Sequence, residues 1–143
     1  MLLLTPNQTA ALRAAVDRIL PPDEFPGGWE AGVGDYLLRQ LGPDGDLQRL
    51  LPVDRTGLDA LDAEARAGGG TGFADLDATA QDALLARLEA GRAEAPAAWG
   101  KVEPALFFRR LVEHSMEGFY GDPGNGGNKN GAAWDMIGFR VRG

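Results

Sequence analysis

The chain has 143 residues, 44% of them hydrophobic and 24% charged, which is the range of a globular domain able to bury its own core. A net charge of −7 and a pI near 4.6 argue against a nucleic-acid binder, whose surface should be basic. With no cysteine in the chain, disulfides, thiol nucleophiles and thiolate metal sites are excluded.

No apolar run approaches the roughly 20 residues that a membrane span needs. Met1 to Leu4 is too short for the apolar core of a signal peptide and has no basic segment before it. The chain as written therefore reads as cytoplasmic, with no export signal.

Thr5-Pro6-Asn7-Gln8 is a capping box with proline at the first helical position, where its missing N–H costs nothing. Leu12, Val16, Ile19 and Leu20 follow on one helix face, and Pro21-Pro22 stops the run. Asp23 to Gly28 is a turn-rich connection, with Phe25 and Trp29 as its anchors to the core. A second helix is expected from Glu30 to Leu41, burying Val33, Tyr36, Leu37 and Leu41 and ending at Gly42-Pro43. From Asp46 the pattern is helical again, with Leu47, Leu50 and Leu51 before a break at Pro52.

Leu58, Leu61 and Ala65 continue at helical spacing to the stop at Gly68-Gly69-Gly70. The piece from Asp54 to Ala67, rich in Ala, Asp, Glu and Arg, fits a packed helix and a solvent-facing one equally well. Phe73 and Leu76 precede an N-cap at Asp77, and Leu84, Leu85 and Leu88 mark a helix ending near Gly91. Trp99 is expected to be a core anchor in the Ala/Pro connection that follows. A last helix should start at Glu103-Pro104 and run to Glu117, burying Leu106, Phe107, Leu111 and either His114 or Ser115. No segment alternates as a strand would, so the class is all-α: one domain spanning 1–143, made of about five helices with a long C-terminal loop.

That loop is the most specifically composed part of the chain. His114 to Tyr120 runs into Gly121, the turn Asp122-Pro123 and the Gly/Asn-rich stretch Asn125 to Asn130, then closes on Trp134, Met136, Ile137 and Phe139. Glycine reaches positive φ freely, and Asn and Asp bond their own backbone in turns. Aromatics on both sides indicate an ordered loop pinned at its ends. Trp134, Ile137 and Phe139 can close the chain's own core or lie against a partner, and composition does not choose between these.

Candidate chemistry is sparse. His114 and Glu117 share a helix face as H-x-x-E, and Asp122 follows, a trio that suits zinc, iron or manganese. The simpler reading has His114 bonded to backbone at a helix C-terminus or to a nearby carboxylate, with no metal in the chain. Glu113 and Glu117 fit ordinary solvated carboxylates, and Ser115 points about 100° away from its neighbour His114 on a helix, too far to share a proton. The glycines follow a helix and Lys129 lacks a neighbouring Ser or Thr, so the loop does not match a phosphate cradle. Asp122, Asn125, Asn128 and Asn130 do not have EF-hand spacing.

The run His114-x-x-Glu117-Gly118-Phe119-Tyr120-Gly121-Asp122-Pro123, then Gly126-Gly127-Asn128, then Trp134-x-x-Ile137-Gly138, resembles the C-terminal signature of the gluconate 2-dehydrogenase subunit 3 family. Ile19-Leu20-Pro21-Pro22-Asp23, Pro26-Gly27 and Ala31-Gly32-Val33-x-x-Tyr36 resemble its N-terminal half, and Phe73, Leu76, Asp77, Gln81, Leu84, Leu85 and Leu88 fit its middle. The resemblance implies a small, non-catalytic helical subunit of a bacterial sugar or polyol dehydrogenase. Its partner would be a large flavoprotein of the glucose–methanol–choline (GMC) oxidoreductase type that holds FAD, with a cytochrome c subunit often taking the electrons. The small subunit would help the large one fold and, in exported relatives, escort it through a twin-arginine signal.

The resemblance implies no catalytic residue and no cofactor in this chain. It places partner contacts at Tyr120, Asp122, Pro123, Gly126, Gly127, Asn128, Trp134 and Ile137, with His114, Glu117, Gly118 and Gly138 shaping the motif. No twin-arginine segment precedes Thr5, a departure that fits a cytoplasmic partner, or a periplasmic one if a leader was removed or the partner carries the signal. The competing reading is a small metal-dependent hydrolase or lyase using His114, Glu117 and Asp122.

Overall fold

A computed structural model describes residues 3–22 and 27–120. Five α-helices account for most of them: α1 (Pro6–Ile19), α2 (Gly34–Leu41), α3 (Leu51–Ala67), α4 (Ala78–Glu89) and α5 (Pro104–Tyr120). Among the described residues there is no strand, so the all-α class holds. Phe25 and the glycine/asparagine loop after Tyr120 lie outside the described residues.

α1 starts as its capping box requires. Thr5 Oγ1 accepts from the Gln8 amide at 3.1 Å, and Gln8 Oε1 accepts from the Thr5 amide at 2.9 Å. Its inner face is Ala11, Leu12, Ala15 and Val16, all buried. The helix expected over Glu30 to Leu41 is divided: a π turn covers Trp29–Val33, and α2 begins only at Gly34. Gly32 sits inside that turn at φ 108°, which interrupts a regular helix and suits a residue without a Cβ. The turn is tied to α1 where the Trp29 amide donates to Asp17 Oδ1 at 3.1 Å. Trp29 packs on the core while staying partly exposed, and Tyr36, expected to be buried, is also only partly so.

Pro52 does not break a helix; it helps start one. A 3₁₀ turn (Gln48–Leu50) feeds into α3, and Pro52 stands in its first turn, where no intrahelical N–H is needed. α3 is packed on several sides. It meets α1, α5 and the 3₁₀ turns Phe73–Asp75 and Pro96–Trp99, and it buries Leu58, Ala60, Leu61, Glu64 and Ala65. Of its buried residues only Leu58 and Leu61 are large and apolar, which is why counting large apolar side chains leaves a solvent-facing helix open as an alternative. Gly57 marks the closest approach, because a Cβ there would run into the Phe107 ring of α5.

Glu64 is fully buried in the last turns of α3. Its Oε1 accepts from the Glu94 amide at 2.9 Å, and its Oε2 accepts from the Ala95 amide at 2.8 Å and from Trp99 Nε1 at 3.1 Å. These bonds fold the connection between α4 and α5 onto α3 and bring Trp99 edge-on to Phe107, with ring centres 5.6 Å apart. α4 begins at Asp77, whose Oδ1 accepts from the Ala80 amide at 2.8 Å, and buries Gln81, Leu84, Leu85 and Leu88. α5 buries Phe107, Leu111, Ser115, Met116 and Phe119 and runs on to Tyr120, past the expected end at Glu117. Leu106 stays partly exposed, and of the pair His114 and Ser115 it is Ser115 that is enclosed.

An exposed mid-helix Gly→Ala change ordinarily adds about 1 kcal/mol of stability. Gly57→Ala is expected to do the opposite, costing about 1–3 kcal/mol as overpacking against Phe107. Urea denaturation of both proteins checks the sign.

Candidate interaction face at the end of the last helix

Four of the motif residues fall on the last turns of α5: His114, Glu117, Gly118 and Tyr120. Asp122, Pro123, Gly126, Gly127, Asn128, Trp134, Ile137 and Gly138 lie outside the described residues. Two elements build the part that is described. α5 supplies His114 and Glu117 one turn apart, and α2 lays Tyr36 across the helix beside them.

Gly118 makes that crossing possible, since a Cβ at 118 would come within 2.8 Å of the Tyr36 ring. The Tyr36 hydroxyl donates to Glu117 Oε1 over 3.4 Å, a long bond at the protein surface. Burial pushes the Tyr36 phenol above its ordinary range, and the neighbouring Glu117 carboxylate adds to that. Tyr36 therefore acts as a neutral donor to Glu117 at physiological pH. Tyr36 and Glu117 belong to separate sequence motifs. They are 81 positions apart, and nothing local to either one indicates the contact.

His114 is half-buried beside them. Burial pulls its pKa below 6.5, outweighing Glu117 and Glu113, which favour the imidazolium; Arg110 pulls in the same direction as burial. The expectation that His114 bonds backbone or a carboxylate does not hold among the described residues: the carboxylates act on it through space, and Glu117 turns to Tyr36. Among the described residues no cluster of three or more His, Asp or Glu side chains is placed to hold a metal ion. The third member of the suggested trio, Asp122, lies outside them. Ser115 is enclosed and its hydroxyl lacks a hydrogen-bond partner among the described residues, while His114 reaches the surface, so the two do not form a nucleophile–base pair.

Tyr120, next along the helix, stands edge-on to Phe119 with ring centres 5.5 Å apart. Phe119 is fully buried and Tyr120 partly exposed, so one ring anchors the other. The result is a pair of seated tyrosines, Tyr36 and Tyr120, with the exposed carboxylates Glu113 and Glu117 on the same helix. Rigid aromatic rings with polar tips bind a protein surface at low entropic cost. Among the described residues no helix is long and apolar enough to cross a membrane.

The profile of the family described as Gluconate 2-dehydrogenase subunit 3 matches residues 6–141, nearly the whole chain. No curated protein and no solved structure matches it.

In the folded protein His114 should titrate below 6.5, followed by NMR of its ring protons. Glu117→Gln removes a group that favours the imidazolium, and should move the midpoint lower still. Because the folded pKa is depressed, the contribution of His114 to stability is complete above pH ~6.5 and is lost as the pH falls below it.

Proposed function

Because the chain belongs to the gluconate 2-dehydrogenase subunit 3 family, we propose that it is the small accessory subunit of an FAD-dependent, GMC-type dehydrogenase acting on a sugar, polyol or glycoside. In this reading it binds the large flavoprotein and keeps it folded, FAD resides in that partner, and a cytochrome c subunit accepts the electrons. Chemistry belongs to the partner and surface recognition to this chain. The observation that carries the reading is the reach of the family match, which takes in the helical body and the C-terminal stretch together.

The seated Tyr36 and Tyr120 support it, because a helix end with held aromatic rings is suited to covering apolar surface on another chain. Partner contacts are assigned to Tyr120, Asp122, Pro123, Gly126, Gly127, Asn128, Trp134 and Ile137. His114, Glu117, Gly118 and Gly138 shape that face.

Co-expression with a flavoprotein encoded beside it tests the proposal. The flavoprotein should be soluble, FAD-loaded and active with this chain, and insoluble or inactive without it. Trp134→Ala should weaken co-purification by about tenfold or more, as loss of a central aromatic anchor does, while leaving the melting temperature of the small subunit nearly unchanged. A flavoprotein that is soluble and fully active alone would overturn the proposal.

A further inference from the structure

Glu117 is distinguished from other surface carboxylates by what touches it. It belongs to neither ion pair found among the described residues, Arg18–Asp82 and Arg87–Glu94. Its hydrogen bond among those residues is the 3.4 Å contact from the Tyr36 hydroxyl, a long bond from a neutral donor that leaves the charge uncancelled. The surroundings lean to the same sign. The exposed acids Glu117 and Asp46 both act on the Tyr36 hydroxyl, opposed by Arg39. Glu113 joins Glu117 in acting on His114, opposed by Arg110, and burial of His114 keeps its ring from adding a stable positive charge near neutral pH. The chain as a whole carries −7.

Tyr36 supplies a second feature. Its ring rests on the bare backbone of α5 at Gly118 and stays partly exposed. The contact between hydroxyl and carboxylate therefore sets an aromatic ring from α2 and an anionic oxygen from α5 side by side. A cation against such a ring is attracted by its π face, and the adjacent carboxylate has lone pairs left for further N–H donors. Lysine brings a compact, strongly hydrated charge. The flat guanidinium of arginine can stack on the ring and fork onto the carboxylate at once, so the chemistry selects arginine.

We propose that Tyr36 and Glu117 form a receptor for an arginine side chain on the large flavoprotein subunit, the guanidinium lying on the open part of the Tyr36 ring and donating to the Glu117 carboxylate. The choice of partner rests on the accessory-subunit reading above; the receptor itself rests on the crossing of α2 and α5. Glycine at 118 fixes the ring, and the uncancelled acid beside it gives the partner's patch its sign.

Two measurements on the full chain test this. In the first, the affinity for the flavoprotein encoded beside it is measured at low and high salt. Glu117→Gln, an exposed change, should weaken binding about tenfold or more at low salt and flatten the salt dependence. In the second, N-acetylarginine amide at millimolar concentration should shift the NMR signals of the Tyr36 ring protons several-fold more than the lysine counterpart does, and Glu117→Gln should remove the difference. Equal affinity and equal salt dependence in Glu117→Gln overturn the proposal and leave the accessory-subunit reading standing. A flavoprotein that binds neither form overturns that reading; the arginine titration then decides the receptor, and equal shifts from the arginine and lysine compounds overturn it. If the arginine compound acts only after Arg140 and Arg142 are both changed to Gln, the occupant is this chain's own C-terminal stretch, and the assignment to a partner is overturned.

Discussion

The fold depends on one buried carboxylate. Glu64 sits on α3 with no exposure, and three donors from a connection about 30 positions further on converge on it. Removing a carboxylate from water costs several kcal/mol, which is offset only when its oxygens are well bonded. Two backbone amides and an indole N–H meet that requirement here. The same bonds locate Trp99, Trp99 meets Phe107, and Phe107 lies on the backbone of α3 at Gly57. The antiparallel packing of α3 and α5 therefore grows from a polar contact and is completed by an aromatic one.

That arrangement explains which parts of the fold were legible in the sequence. Helix starts at Thr5 and Asp77 were readable because a cap is a local contract between residues three apart. Trp99 was readable as a large apolar side chain in an otherwise plain connection. Pro52 was misread because proline both ends helices and begins them, and its neighbours do not say which. Gly32 was missed as a division because its sequence neighbours continue the helical pattern. The role of Glu64 left no local trace. An acidic residue in a stretch rich in Ala, Asp, Glu and Arg looks solvated, and its donors are too far along the chain for any periodicity to find.

The candidate face divides in the same way. Motif residues on α5 were identified from sequence, but the use of Gly118 became clear only when Tyr36 of α2 was found across it. His114, the residue most suggestive of catalysis, lies beside a carboxylate already engaged by a tyrosine. In the proposed role as an accessory subunit, a stiff α3–α5 pair gives the end of α5 a fixed orientation, and the glycine beneath Tyr36 holds that ring for recognition. A partner would then meet a preformed surface, which lowers the entropic cost of association.

The most direct measurement of the central contact is native-state hydrogen exchange at the Glu94 and Ala95 amides and the Trp99 indole. Glu94 lies exposed in a connection between helices, where an amide would ordinarily exchange through local fluctuation. If Glu64 organises the fold, both amides and the indole N–H exchange as slowly as the core amides of α3 and open with them in one cooperative step. Exchange at the rate of an open loop, with α3 still protected, would contradict the account.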